Sequence, residues 1–458
     1  AGPAGGGGGG AGAAAGAANP CRAWTSGGHR DNQVACGRRS KGGEPGDAGR
    51  EAASLTTDRP CGAQMGEATM SRWQLNGSMA ARAWLVAGLA VAALCGCGKQ
   101  DTAPAGEATG TAGAPADAGT LNVYNWSDYI AEDTIPNFER ERGVKVNYGV
   151  FDSNEVLEAK LLAGASGFDV VVPSLQFLGR QIQAGVFQPL EKERLKNYGG
   201  LDPELMERLA LQDPGNRYGI PYLWGTTGIG YNVDKVTAAF GGTEVAGSWD
   251  LVFKPENIAK LKDCGVMLLD TPSELVPIAL NYLGEDPNST DPAVIQKGAD
   301  LLGTIRPYIQ TFHSSQYIDA LANGSACLVV GWSGDVLQAR DRAVEAGNGV
   351  NVAFSIPKEG APIFVDMLAI PKDAKNLDNA YAFIDYLLRP EVAAANSNYV
   401  SYPNPVPASL PMVDEAIKND PTIYPPPETA AKLFTLAIIP PEVDRLYTRL
   451  WTELKTGR

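Results

Sequence analysis

From residue 120 to 458 the chain predicts an α/β fold, and three observations carry that prediction. Segments of strand character alternate with segments of helical period along this whole stretch. The first strand, Leu121 to Trp126, is bulky on both alternating faces, as in a strand covered on two sides. Aromatic and polar residues crowd the turns after such strands, which is where open α/β sheets place their ligands.

The opening strand runs into Ser127 and Asp128, which read as an oxygen-bearing cap for a helix that continues to Arg142. A strand Val144 to Tyr148, a helix Asn154 to Ala163 and a buried strand Asp169 to Val172 follow. Pro173-Ser174 closes that strand, and a helix extends to Ala184. Tyr218 to Trp224 and Gly228 to Asn232 read as two short strands around a Gly/Thr bend, a crossover between lobes. A second unit spans about 225 to 350, with a strand Gly265 to Leu269, helices Glu274 to Leu283 and Pro292 to Thr304, and a strand Ala326 to Val330. Strands Val352 to Ile356 and Ile363 to Ile370 are expected to return to the first lobe. A helix Leu377 to Leu388 stops before Pro390. The tail is rich in Pro to about 427 and then helical over 428–436 and 441–452. The expected division is 120–224 plus about 352–401 for one lobe and about 225–351 plus about 402–458 for the other.

The first 119 residues read differently. Residues 1–78 are low in complexity, without helical or strand period, and read as lying upstream of a true start at Met79. Residues 79–97 have a positive start, an apolar run to Leu94 too short for a membrane span, and a small-residue end. Leu94-Cys95-Gly96-Cys97 resembles a bacterial lipobox, with Cys97 as the lipid acceptor. Residues 98–119 form a flexible tether of Ala, Gly, Thr and Pro. Export implies an oxidising compartment, so Cys264 and Cys327, the two cysteines after Cys97, are expected to pair.

The formal net charge of −14 argues against a nucleic-acid partner and suits a cationic ligand. Catalytic motifs fall short. His313 is the one histidine after Cys97, too few for a His-rich metal site or a His-based triad. Gly331-Trp332-Ser333-Gly334-Asp335 lacks the last glycine of a nucleophile elbow, and Gly228-Ile229-Gly230 lacks the third glycine of a dinucleotide loop. No cofactor, metal or enzymatic activity is expected.

Binding chemistry is better represented. In Ile363-Phe364-Val365-Asp366-Met367-Leu368-Ala369-Ile370 a carboxylate interrupts an apolar strand, and strand period puts Phe364 and Asp366 on one face. Trp332 and Asp335 follow another strand. Taken singly, Asp335, Ser127, Asp128, Ser174 and Glu274 could be helix caps or first-turn residues. Together, repeated aromatic-plus-acid turns suit an organic cation with an alkyl body, through charge-assisted hydrogen bonds and aromatic faces.

Leu121 to Ile130, Phe151-Asp152-Ser153-Asn154-Glu155, Phe168 to Ser174, Thr226 to Asn232 and Phe312-His313-Ser314-Ser315-Gln316-Tyr317 resemble the bacterial polyamine-binding proteins of ABC importers, most closely the putrescine-binding members. The resemblance covers about 120 to 458. It implies a type II periplasmic-binding-protein fold, with two α/β lobes, a hinge and a closing cleft. It implies a ligand set of Trp126, Ser127, Asp128, Tyr129, Ser174, Glu274, Ser314, Trp332, Asp335, Phe364, Asp366 and Tyr402. In that set Trp332 and Tyr402 sandwich the methylenes, while Asp366 and one or more of Asp128, Glu274 and Asp335 bind the ammonium ends. Cys264 and Cys327 match the family's disulfide. Gln176 departs from the family, standing near the cleft where putrescine binders usually carry a serine; Phe364 fits the putrescine type. The expectation is a monomeric, membrane-tethered lipoprotein of the periplasm or cell envelope, touching the membrane through its lipid alone. It would capture putrescine or a related polyamine and deliver it to an inner-membrane ABC permease and its ATPase. The alternatives are a receptor for another small solute and a bilobal enzyme with a cysteine nucleophile.

Overall fold

The computed structural model describes residues 119–457. Residues 1–78, the signal segment with Cys97, and the tether up to 118 lie outside the described residues. Ten strands are present among the described residues: β1 Thr120–Trp126, β2 Lys145–Phe151, β3 Val170–Val171, β4 Gly219–Asn232, β5 Val266–Leu268, β6 Thr311–Phe312, β7 Leu328–Trp332, β8 Val352–Ser355, β9 Pro362–Ala369 and β10 Phe434–Thr435. Their order is β2-β1-β3-β9-β4-β7-β5-β6, with β8 also on β4 and β10 on β9. Parallel pairs at each end (β1 with β2 and β3, β5 with β6 and β7) flank antiparallel pairs at the centre. Helices cover the sheet, and the chain has two α/β lobes.

β4 joins them. Gly219 to Thr226 pair with β9, and Thr227 to Asn232 pair with β7 and β8. The two short strands expected here are one fully buried 14-residue strand with a register shift between Pro221 and Trp224. Gly225 does not mark a bend. A Cβ there would lie 2.6 Å from the Tyr402 ring, so glycine serves close packing.

Other expectations are corrected in the same way, by long-range partners. No helix starts at Ser127 or Asp128; Asp128 adopts a left-handed φ of 54° and the helix is Thr134–Arg142. The intervening turn is tied elsewhere. The Ala131 amide donates to Asn396 Oδ1 at 2.8 Å, and the Tyr222 hydroxyl donates to the Tyr129 carbonyl at 2.8 Å. β8 does not return to the first lobe but lies along Ile229 to Asn232, where the second half of β4 offers an open edge. The helix expected over 428–436 is a single turn, Pro427–Ala430, followed by β10, because Pro362 and Ile363 of β9 extend past β3 and accept a further strand. The last helix, Pro441–Thr456, is amphipathic and buries Val443, Tyr447, Leu450 and Trp451 in the second lobe's core.

Two buried clusters follow from this layout, one centred on β1, β3 and β9, the other on β5, β7 and Trp249. Cys264 and Cys327 are bonded beside the second, with Cα atoms 5.6 Å apart. No helix among the described residues is long and apolar enough to cross a membrane.

Candidate functional site

Strand ends and helix starts from both lobes meet at a narrow slot beside the β4–β9 crossing. Its walls are Trp126, Ser127, Tyr129, Phe151, Asp152, Ser174, Glu274, Ser314, Ser315, Trp332, Asp335, Phe364, Asp366 and Tyr402. Eleven of the twelve candidates named from the sequence are among these. Asp128 is the exception; its left-handed turn points the carboxylate to Arg342, 2.5 Å away, half-exposed. Phe151, Asp152 and Ser315 were not singled out. The parallel register Trp126↔Phe151 explains the first two, since both strands end at the same level. That register is a long-range fact, although all three lie within the stretches that carry the family resemblance.

The local reasons for each position are simple. Strand alternation turns Phe364 and Asp366 to the same side of β9, as the sequence predicts. Ser174 occupies the N-cap position of the helix Leu175–Gln183 yet makes no capping bond. Its hydroxyl donates to Asp366 Oδ1 at 2.6 Å and accepts from Asn154 Nδ2 at 3.0 Å. Glu274 and Asp335 lie in the first turns of the helices Pro272–Tyr282 and Ser333–Ala346, neither as the cap.

Each buried acid has its own neutral donors. Glu274 accepts from Thr227 Oγ1 at 2.6 Å and from Trp332 Nε1 at 3.1 Å. Asp335 accepts from the Tyr317 hydroxyl at 2.8 Å and the Tyr402 hydroxyl at 2.9 Å. Burial above all holds both tyrosines well above the ordinary phenol range, so they remain donors. Tyr402 is seated by Gly225 and by Gly334, where a Cβ would come within 2.3 Å of its ring. The Tyr129 hydroxyl is buried beside Asp366 and interacts with its carboxyl.

Burial is also the largest influence on the acids, because a carboxylate out of water resists ionisation. It pushes Asp335 up to about 7 against the Tyr317 and Tyr402 hydrogen bonds. It pushes Asp366 up to about 7 against the Ser174 hydrogen bond, with repulsion from Glu274 and Asp335 adding to the rise. Glu274 is raised by burial too, opposed by its bonds from Thr227 and Trp332. None of the residues lining the slot is basic.

Aromatic rings fill the space between the acids. Trp126 meets Trp332 edge-on at 5.4 Å, Trp332 meets Phe364 at 6.4 Å, and Phe364 meets Tyr402 at 6.0 Å. Trp126 is fixed by Nε1 donating to the Val172 carbonyl at 2.8 Å. Such a slot can hold a narrow apolar body with cationic ends. Gln176 does not line it; it lines a second, smaller recess with Phe177, Arg180 and Ser273.

Residues 133–425 match the family model described as bacterial extracellular solute-binding protein. The chain is 57% identical over 340 residues to the putrescine-binding periplasmic protein PotF of Escherichia coli, covering 74% of this chain and 92% of that one. It is 54% identical over 354 residues to the putrescine-binding periplasmic protein SpuD of Pseudomonas aeruginosa, covering 77% and 96%. Among solved structures, the spermidine/putrescine ABC transporter substrate-binding protein PotD of Streptococcus pneumoniae superposes with a TM-score of 0.60 at 30% identity, covering 74% and 99%. With two lobes, an acid-lined slot at their junction and these relatives, the chain belongs to the bacterial extracellular solute-binding proteins.

Proposed function

We propose that this protein captures putrescine or a related polyamine in the slot and presents it to an ABC permease and its ATPase. The observation that carries the reading is the buried trio Asp335, Asp366 and Glu274 in an aromatic slot without a facing cation. Three acids held this way are costly when ionised and unpaired, and a linear amine with two ammonium ends relieves that cost. Asp366 with Ser174 and Tyr129 takes one ammonium group. Asp335 or Glu274, supported by the tyrosines and Trp332, takes the other. Trp332 and Tyr402 enclose the methylenes, with Phe364, Trp126, Ser127 and Ser314 completing the walls. Asp128 acts outside the slot, on Arg342.

Closure is a hinge motion at the β4–β9 crossing, since the acids come from both lobes. The names of the similar proteins support a periplasmic location. A lipid on Cys97, a monomeric state and an oxidised Cys264–Cys327 pair belong to the same reading. Calorimetry and thermal shift with putrescine, cadaverine, spermidine and spermine test it. A ligand at a hundredfold excess over its Kd stabilises the fold by about 2.7 kcal/mol. Silence toward all four amines ends the proposal.

A further inference from the structure

The hydroxyl that meets Asp366 is itself held by a residue outside the slot. Asn154 opens the helix Asn154–Leu162, is buried in the first lobe, and does not line the slot. It grips Ser174 twice. The Ser174 amide donates to Asn154 Oδ1 at 3.0 Å, and Asn154 Nδ2 donates to Ser174 Oγ at 3.0 Å. A backbone N–H can only donate, so the side-chain atom facing it is the carbonyl oxygen, and the atom facing Oγ is the NH2 group. Ser174 Oγ is thereby an acceptor toward Asn154, and its single proton is left for Asp366 Oδ1 at 2.6 Å. The Tyr317 hydroxyl in the other lobe is set in the same way. It accepts from the Trp332 amide at 3.1 Å and donates to Asp335 Oδ2 at 2.8 Å. There the lock is backbone; at Ser174 it is one replaceable side chain.

The direction of that bond matters, because Asp366 must be an anion to hold an ammonium group, and a hydroxyl that only donates favours the ionised form. Facing Asp366 are Glu274 and Asp335 on helices of the second lobe, Tyr129 on the turn after β1 and Tyr222 on β4. None of these is a cation, so neutral donors do the work of keeping the charge. We propose that Asn154 is a positioning residue for ammonium binding: it fixes the Ser174 hydroxyl as a donor to Asp366 and so keeps that carboxylate ionised, without touching the ligand. The inference rests on the polyamine reading.

Calorimetric titration at pH 8 and pH 6 tests it, on the wild type, Asn154→Ala, Ser174→Ala and the double variant. The ligand is whichever of putrescine, cadaverine, spermidine and spermine binds the wild type most tightly, and thermal unfolding checks that each variant is folded. Asn154→Ala is expected to weaken binding about tenfold at pH 8, as for loss of one hydrogen bond to a charged group. Its further fall to pH 6 should exceed that of the wild type about threefold or more, because Asp366 then takes up its proton at higher pH. The double variant should bind within about threefold of Ser174→Ala, since both residues act through one bond. Where Asn154→Ala does not fold, Asn154→Asp in the same cycle decides. It keeps the side chain's size, its added charge acts in both backgrounds and cancels, and its loss should be about threefold or more larger with Ser174 present. Losses that multiply in the double variant overturn the assignment, as does an Asn154→Ala protein with wild-type affinity or a wild-type pH profile. A wild type that binds none of the four amines overturns the polyamine reading with it.

Discussion

Polyamine binding is expected to weaken steeply below neutral pH, because the slot must be ionised to hold a dication. Asp335 and Asp366 both sit at about 7, up from an ordinary 3.8, with burial as the main cause. A carboxylate one pH unit below its pKa is ionised in about one molecule in eleven, so affinity falls about tenfold per group between pH 8 and pH 6. For two groups the loss is about a hundredfold, and close to two protons leave the protein on binding at pH 6. The free protein shows the mirror image. Its raised carboxylates keep protons that the unfolded chain releases, so stability is highest at low pH on this account and is lost as pH rises from about 4 to about 7. A shift from 3.8 to about 7 corresponds to about 4 kcal/mol per group. Titration calorimetry at pH 6 and pH 8, in two buffers of different ionisation enthalpy, reads affinity and proton release together. An affinity unchanged within about threefold over that range, with heats independent of buffer, would refute the reasoning. Asp366→Asn should remove about half of the pH dependence along with most of the affinity.

Three further outcomes are expected. Asp128→Asn removes a half-exposed ion pair with Arg342 worth about 1 kcal/mol or less, so putrescine affinity should fall about fivefold at most, far less than for Asp366→Asn. Gly334→Ala places a Cβ 2.3 Å from the Tyr402 ring and 2.5 Å from the Val400 carbonyl oxygen. It should cost about 1–3 kcal/mol in thermal or chemical unfolding and weaken binding by displacing the Tyr402 hydroxyl from Asp335. Replacing Cys264 and Cys327 together by Ser opens a loop of 63 residues and should lower unfolding free energy by about 4 kcal/mol in the chain-entropy model, read by urea denaturation. Binding of putrescine well below the unfolding midpoint should be unaffected by that pair.

By itself the sequence determined whatever depends on near neighbours. The alternation in 363–370 places Phe364 and Asp366 on one face, and the apolar run up to Asp366 makes that carboxylate conspicuous. The α/β class, the helices Asn154–Leu162 and Pro292–Ile305, and the strand-to-helix turns carrying Ser174, Glu274 and Asp335 were all legible from period, caps and breakers. Tertiary structure alone decided which acids meet. Ser127 and Asp128 look like a helix cap in sequence, but bonds to Asn396 and Tyr222 hold that stretch as a turn and send Asp128 to Arg342. Glu274 alone looks like first-turn decoration, yet it is buried in the slot and accepts hydrogen bonds from Thr227 and Trp332, 47 and 58 residues away. β4 is continuous because β9 and β7 catch its two halves, which no local preference encodes. A carboxylate's ionisation is set by the atoms that exclude water around it, and here those atoms arrive from distant parts of the chain.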